Sequence, residues 1–490
     1  MKYVLGVDHG GTASKAVLFD ITGKEIASAK RNTRMITPAP GHTERDMEEL
    51  YEANCTVIRE AIETSGVAAE DILGLSFSGH GKGLYLWGKD NKPARNGIIS
   101  TDSRAVDYIE KWYAGGVAQA AFPRTMQSML ACQPAALLCW LKDHEPETIE
   151  NTRWIFGVKD YLRFRMTGEA MAEITDISGS GLLDLSKADY DRETLAMLGL
   201  DTIADRLPPI VYSENTCGGV TEECAKKCGL LPGTPVAAGL FDIDACAIAM
   251  NVTDESRLAL IAGTWSINEF ISREPELEHI VKMNSLYCLP GYYLCEECSP
   301  TSASNLEWFL RTLMPDAENP YAQANEMAVS GNAEGIVFLP YLFSGTDDAR
   351  ARACFVGLDS SHTRADMVKS VYEGVVYGHK KHTERLMKVS KADAARLAGG
   401  VVNSPVWVQM FADILEMPIE TVDANELGAL GAAMTAAVAG GAYPDLQAAA
   451  AAMVHMGKTY MPNAEAAEGY RRRYARWQKV DAALAGVWKE

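Results

Sequence analysis

A chain of 490 residues is too long for one hydrophobic core, and two large domains are the natural arrangement. Its 47% hydrophobic and 23% charged content is that of a folded globular protein. The formal net charge of −19 argues against a nucleic-acid or anionic-membrane partner, each of which wants a basic patch. A phosphorylated ligand stays open, because Mg²⁺ and backbone donors neutralise phosphate locally. The eleven cysteines are scattered and odd in number, which argues against a disulfide framework. Cys295 and Cys298 form one C-x-x-C without a second pair at zinc spacing, and read as small hydrophobes. No signal-peptide pattern opens the chain, and the apolar stretch from Leu427 to Ala442 is too short to span a membrane. A cytoplasmic location is expected.

The first predicted elements carry the most information. In residues 4–15, VLGVDHGGTASK, a β-branched run ends in Asp8, then come Gly10, Gly11, Thr12 and Lys15, and Ala16 to Phe19 form a second apolar run. This predicts a hairpin whose glycine turn can wrap phosphate oxygens with backbone N–H groups. Asp8, at the strand end, is placed to face a phosphate-bound Mg²⁺. The plain alternative is an ordinary surface hairpin. Residues 44–62 put Met47, Leu50, Tyr51, Asn54, Val57, Ile58, Ala61 and Ile62 at helical spacing. Ile72 to Ser78 reads as a buried strand leading into Gly79-His80-Gly81-Lys82-Gly83. Hairpin, helix and strand in that order suggest a mixed sheet flanked by helices.

Further on, Val236 to Leu240 is a strand candidate that ends at Phe241-Asp242, and a helix is expected from Ala245 to Met250. Leu258 to Ala262 then ends in Gly263-Thr264, an echo of the opening turn. A second phosphate turn near the midpoint implies two similarly built halves that share a cleft. The boundary falls near residues 245–257, giving domains 1–245 and 246–490. In the last third, Gly399 and Gly400, followed by Asn403 and Ser404, read as a turn that opens a helix and lets backbone approach a flat or anionic ligand. The bland alternative is a helix start beside a tightly packed Ala helix at 428–437. Gly457-Lys458-Thr459 lacks the Walker glycine, since position 452 is Ala452, and no G-x-G-x-x-G opens a helix. Neither a P-loop nor a dinucleotide site is supported.

Gly/Thr turns at 8–12, 263–264 and 399–404 without a P-loop resemble the actin-like ATPase superfamily. Two segments narrow the likeness. Ala353-Cys354-Phe355-Val356-Gly357-Leu358, followed by Asp366-Met367-Val368-Lys369-Ser370-Val371-Tyr372-Glu373, matches the second signature of the FGGY carbohydrate kinases. Lys159-Asp160-Tyr161-Leu162-Arg163, Thr167-Gly168 and Thr175-Asp176-Ile177-Ser178 look like that family's K-D-Y-L…T-G…D-x-S segment. The resemblance, from about residue 3 to 475, implies two actin-like (ribonuclease H-like) α/β domains with the catalytic cleft between them. It implies ATP and Mg²⁺, transfer of the γ-phosphate to a sugar hydroxyl, and, by analogy alone, a homodimer.

Carried over residue by residue, the resemblance makes Asp242 the base that deprotonates the sugar hydroxyl, with Asp244 the competing candidate and a helix cap the structural alternative for either. Asp8 would hold Mg²⁺. Gly10, Gly11, Thr12 and Lys15 would meet the β- and γ-phosphates, Gly263 and Thr264 would form the opposing turn, and Gly399, Gly400, Asn403 and Ser404 would border the adenosine. Glu307 lies where relatives often contact the nucleotide. His80, Gly81, Lys82 and Asp102 belong to the expected sugar site. Lys82 is alternatively a solvated loop lysine, and Asp102 the partner of a nearby arginine.

Three departures bear on the sugar. The common S-G-Q-M-H-G loop is Ser78-Gly79-His80-Gly81-Lys82-Gly83, the tryptophan of W-x-D-x-R is Ser100, and the first family signature fails at Leu137. With Gly239-Leu240-Phe241-Asp242, Ser299 to Phe309 and His362 to Ala365, these look like the L-xylulose/3-keto-L-gulonate kinase branch. A ketopentose substrate is therefore expected; D-xylulose, ribulose, erythritol and glycerol are the alternatives. A non-sugar actin-like ATPase and a sugar-binding regulator without catalysis are more remote.

Overall fold

The computed structural model describes residues 1–345, 347–348 and 350–489. β1 (Tyr3–His9), β2 (Ala13–Asp20) and β3 (Glu25–Asn32) form an antiparallel meander, with His9 opposite Ser14 across the glycine turn. α1 (Met47–Ser65) follows; Asp46 caps it by accepting from the N–H groups of Glu48 and Glu49, and Gly66 ends it in the left-handed region. Its buried face includes every residue the spacing selected. β4 (Ile72–Gly79) then lies parallel to β1, so the expected mixed sheet is present.

Residues 80–215 build a region beside this sheet with its own apolar cluster around Leu84, Leu137, Leu138 and Leu182. Within it, α2 (Val158–Thr167) carries the K-D-Y-L-R segment. β5 (Thr216–Gly219) and β6 (Pro235–Ala237) complete the sheet in the order β5-β6-β4-β1-β2-β3. The single strand expected over Val236 to Leu240 is two. Gly239 breaks it with φ 95°, where a Cβ would lie 2.4 Å from the Phe77 carbonyl, and Leu240–Phe241 resumes parallel to the end of β4. α3 (Asp242–Ala249) begins three residues earlier than expected, with Phe241 at its cap position. Neither Asp242 nor Asp244 is the cap.

The second sheet repeats the plan. β7 (Arg257–Ala262) and β8 (Ser266–Ser272) form a hairpin around Gly263-Thr264, and β9 (Met283–Leu286) and β10 (Tyr293–Ser299) extend it. α4 (Ser304–Leu313), α5 (Pro320–Ser330) and α6 (Arg364–Leu386) cover it. β11 (Ala394–Ala398) runs parallel to β7, as β4 does to β1. A 3₁₀ turn over Gly400–Asn403 separates the Gly-Gly pair from α7 (Pro405–Leu415), whose cap is Ser404, so the helix opens later than the sequence suggested. β12 (Ile419–Val422), α8 (Leu427–Ala439), β13 (Met456–Tyr460) and α9 (Ala464–Leu484) complete the chain. The sheet order is β9-β10-β8-β7-β11-β12-β13.

The Ala/Gly helix α8 packs chiefly on β1 and β4 of the first sheet and on α3. Its closeness depends on absent side chains: a Cβ on Gly6 would fall 1.9 Å from the Ala429 carbonyl, and one on Gly431 2.2 Å from that of Ala245. α8 thereby ties the C-terminal part of the chain to β1, the strand that carries Asp8. Among the described residues no helix is long and apolar enough to cross a membrane.

Candidate active site

Asp8 lies at the C-terminal end of β1, within a bond of the Ser78 hydroxyl on β4 and against the start of α8. A Cβ on Gly428 would lie 2.9 Å from its carboxyl. Burial raises the Asp8 pKa and Glu426 adds to the rise, while the Ser78 bond and Lys15 oppose it. Lys15, one strand away, forms an ion pair with Glu426. The turn between them is open: a side chain on Gly10 or Gly11 would meet nothing within 4 Å, and Gly11 and Thr12 are exposed.

Asp242 opens α3 immediately after the Leu240–Phe241 strand, at a helix N-terminus that favours negative charge. The K-D-Y-L-R and T-D-x-S segments hold it there. Arg163 donates to the Ala238 carbonyl at 2.5 Å, and the Phe241 N–H donates to Thr175 Oγ1 at 2.9 Å. Behind them Lys159, fully buried, pairs with Asp160 and Glu173 at 3.1 Å each and with Asp176 at 3.6 Å. Cations and carboxylates in this network compensate one another, as burial requires.

Burial pushes the Asp242 pKa well up; the Asp8 charge adds to this, and Lys82 pulls it down. Asp244 is also raised by burial, but one of its oxygens accepts from the Cys288 N–H at 3.2 Å and the other meets no partner. Asp244 faces the protein interior. Asp242 faces Asp8 and Lys82.

The Gly79–Gly83 loop forms the next wall. Gly81 is required there, since a Cβ would press 2.5 Å from the Phe241 ring. His80 is buried and shares a 3.2 Å hydrogen bond with the Tyr85 hydroxyl; burial and then the Arg45 charge lower its pKa to about 4, so the ring is neutral. Lys82 is half-buried in a left-handed backbone (φ 65°), its ammonium 5.3 Å from the centre of the Phe241 ring. Burial works against that charge, but Glu296, Cys298, Cys132 and Asp242 outweigh it and raise the Lys82 pKa. This is no solvated loop lysine. Asp102 has the arginine partner that one of its two readings expects. It accepts from the Arg104 N–H and Nε at 2.9 Å on one oxygen, and from Thr43 N–H at 2.7 Å and Arg104 Nη2 at 2.9 Å on the other. Arg104 in turn lies 5.1 Å from the Trp140 ring.

Across from these walls, the second sheet contributes a cavity of about 520 Å³. Gly263, Thr264, Gly400, Asn403, Ser404 and Glu307, all selected from sequence, line it. The start of α4 supports the turn, with Ser304 donating to the Gly263 and Thr264 carbonyls at 3.3 and 3.2 Å. Gly399 lies behind, at φ 95°, where a Cβ would fall 2.4 Å from the Ala262 carbonyl of β7. Sequence reasoning missed Tyr321, Asn325, Tyr372 and Trp407, which complete the lining. Tyr372 stacks on Trp407 at 4.3 Å, and Asn325 receives the Ser404 hydroxyl at 2.6 Å. It also missed Glu296 and Glu269, opposite each other on β10 and β8.

The site thus combines two carboxylates at strand ends, two glycine turns on paired hairpins and an aromatic-walled cavity lined in part by one of those turns. Comparison with known proteins agrees. Residues 3–249 match the model of the N-terminal domain of the FGGY family of carbohydrate kinases, and residues 258–440 that of its C-terminal domain. The chain belongs to the FGGY family of carbohydrate kinases. It is 36% identical to a probable L-xylulose kinase of Pasteurella multocida over 99% of this chain and 100% of that one. Against the L-xylulose/3-keto-L-gulonate kinase of Escherichia coli K12 it is again 36% identical, over 99% and 98%. The structure of a ligand-bound xylulose kinase from Lactobacillus acidophilus superposes with a TM-score of 0.91 at 28% identity, covering 100% of this chain and 99% of that one. The two-domain α/β fold of this family is the fold of this chain, and the protein is a sugar kinase, a phosphotransferase.

Proposed function

We propose that the protein transfers the γ-phosphate of ATP to a hydroxyl of a ketopentose-type sugar, L-xylulose or one close to it, with Asp242 as general base. The single observation that carries this reading is the position of Asp242, half-buried at a helix start where it feels the charges of both Asp8 and Lys82. The sugar identity rests on the two 36%-identical relatives. In the reaction the sugar O–H proton passes to Asp242 as the oxygen bonds to the γ-phosphorus, and the bond to the β-phosphate oxygen breaks to release ADP. Thr12 and the glycines beside it, with Lys15, are assigned to the phosphates. Gly263 and Thr264 take the opposing side, and Gly400, Asn403 and Ser404, with Gly399 behind them, border the adenosine. His80, Gly81, Lys82 and Asp102 are assigned to the sugar, with Asp102 also bracing Arg104. The proposal keeps the division into domains 1–245 and 246–490.

Mg²⁺ fits Asp8. No cluster of three or more metal-ligating side chains exists among the described residues, and a nucleotide-bound Mg²⁺ needs only one or two carboxylates with phosphates and water. Asp8, whose pKa burial raises and whose neighbours include Asp242, is a carboxylate that gains from a cation. When bound, the ion neutralises phosphate charge.

The test is ADP release measured across pentuloses, tetritols, glycerol and keto-gulonate. L-Xylulose is expected to give the highest kcat/KM. Asp242→Asn should lower kcat by roughly 10²–10⁴-fold while ADP binding persists. An Asp242→Asn enzyme with parental kcat removes Asp242 from the chemistry, and a better sugar elsewhere in the panel replaces the substrate.

A further inference from the structure

Arg45 is among the most buried cations in the molecule, with 1% of its surface exposed. It sits on a two-residue strand, Glu44–Arg45, and the neighbouring Glu44 points its charge elsewhere, to Arg95, Arg104 and Asn96. Arg45 itself makes one hydrogen bond: Nη2 donates to the Gly11 carbonyl at 2.6 Å. Its Nε and Nη1 are buried without a partner, and it forms no ion pair among the described residues. The titratable groups that feel its charge are His9, His80 and Tyr85. Both histidines are driven neutral, chiefly by burial, and Arg45 adds to the effect.

A buried guanidinium with two idle donors and no counter-ion is costly, and folding alone gives no reason to keep it. The one bond it makes supplies the reason. The Gly11 carbonyl and the Thr12 N–H are two ends of the same peptide unit. A charge-assisted bond to that carbonyl fixes the peptide plane and polarises it, strengthening the N–H at the far end as a donor. Thr12 is exposed, and its N–H makes no hydrogen bond to any described residue.

We propose that Arg45 is the positioning residue of the phosphate turn. It holds the Gly11–Thr12 peptide with its N–H toward the cleft and keeps an unneutralised positive charge beneath the turn, to be compensated only when the polyphosphate arrives. The inference rests on the assignment of this turn to phosphate. It adds a residue that acts through the backbone, contributed by neither of the paired hairpins.

Arg45→Met, Arg45→Lys and the parent enzyme separate the possibilities when kinetics and ligand-free melting are measured together. The expected result is that Arg45→Met melts at or above the parental temperature, because an uncompensated buried charge is gone. Its kcat should fall at least tenfold and its KM for ATP rise, with KM for the sugar within twofold. Arg45→Lys, which keeps the charge but not the planar fork, should recover part of kcat. Melting well below the parent, or failure to fold, overturns the proposal, because the guanidinium is then a structural post. Unchanged kcat and KM for ATP in Arg45→Met overturn it as well. A separate binding titration of the parent with ADP, and of a Gly11→Val variant, tests the underlying assignment. Equal affinity of the two would remove phosphate from this turn whatever Arg45 does.

Discussion

At the scale of the residue, the site is governed by the imbalance between one ammonium and several carboxylates. Lys82 is the cation that faces Asp242, and its field lowers a pKa that burial and Asp8 raise. If Asp242 is the base proposed above, it must be ionised to take the hydroxyl proton, and Lys82 then favours that form. In Lys82→Met the proposed base loses the cation that favours its ionised form, and the acid limb of the kcat–pH profile is expected to move upward. The comparison is a kcat–pH series on both enzymes with saturating sugar and ATP. An acid limb that stays in place would mean that Lys82 serves the sugar alone. The same local logic explains what was legible from sequence. Asp8, Asp242 and the three glycine turns announce themselves because each ends a strand within its own stretch of chain. Arg45, Glu269 and Glu296 gave no such signal: their chemistry comes from elements far apart in sequence, and a charged residue before a helix reads as solvated surface.

At the scale of the element, α8 decides how the halves meet. Its pattern of Gly428, Gly431 and alanines was read as a tightly packed helix, which it is, but its partners could not be read from its own residues. Those partners are β1, which carries Asp8; β4, which carries Ser78; and α3, which begins at Asp242. Backbone meets backbone there, so a methyl group has nowhere to go. Gly431→Ala would put a carbon 2.2 Å from the Ala245 carbonyl, and the strain is expected to cost about 1–3 kcal/mol. Urea unfolding should show a lower midpoint with an unchanged slope, and kcat should fall with it, because α3 begins at Asp242, the proposed base. An unchanged midpoint would show that the contact yields freely. The strand over Val236 to Leu240 was misread for a related reason. Local propensity favours one strand, but Gly239 takes a conformation imposed by the neighbouring Phe77 carbonyl, and the interruption re-aims Phe241 and Asp242. The late start of α7 likewise follows from the 3₁₀ turn that carries Gly400 and Asn403 to the cavity wall.

At the scale of the molecule, the cleft gathers carboxylates from both sheets. Asp8 and Asp242 come from the first, and Glu269 and Glu296 stand opposite each other on the second. Glu269 is fully buried with neither oxygen hydrogen-bonded; burial first, then Glu296, Asp244 and Asp242, push its pKa well above the usual value. The sign of the consequence is fixed by linkage. The folded state keeps a proton that the unfolded chain loses near pH 4.5, so the folded state binds more protons above that pH and stability falls as pH rises. The loss is absent below the unfolded pKa and grows until the folded pKa is passed. Glu269→Gln has no proton to lose and keeps the shape. The variant should therefore gain stability over the parent as pH is raised from about 5 to about 8, with the two converging at the acid end. Urea midpoints of ligand-free protein at several pH values measure the difference. Parallel pH dependences for the two proteins would mean that Glu269 finds compensation that burial alone does not predict. A widening gap would mean that the ligand-free protein carries the partnerless Glu269 carboxyl at its centre as a standing cost.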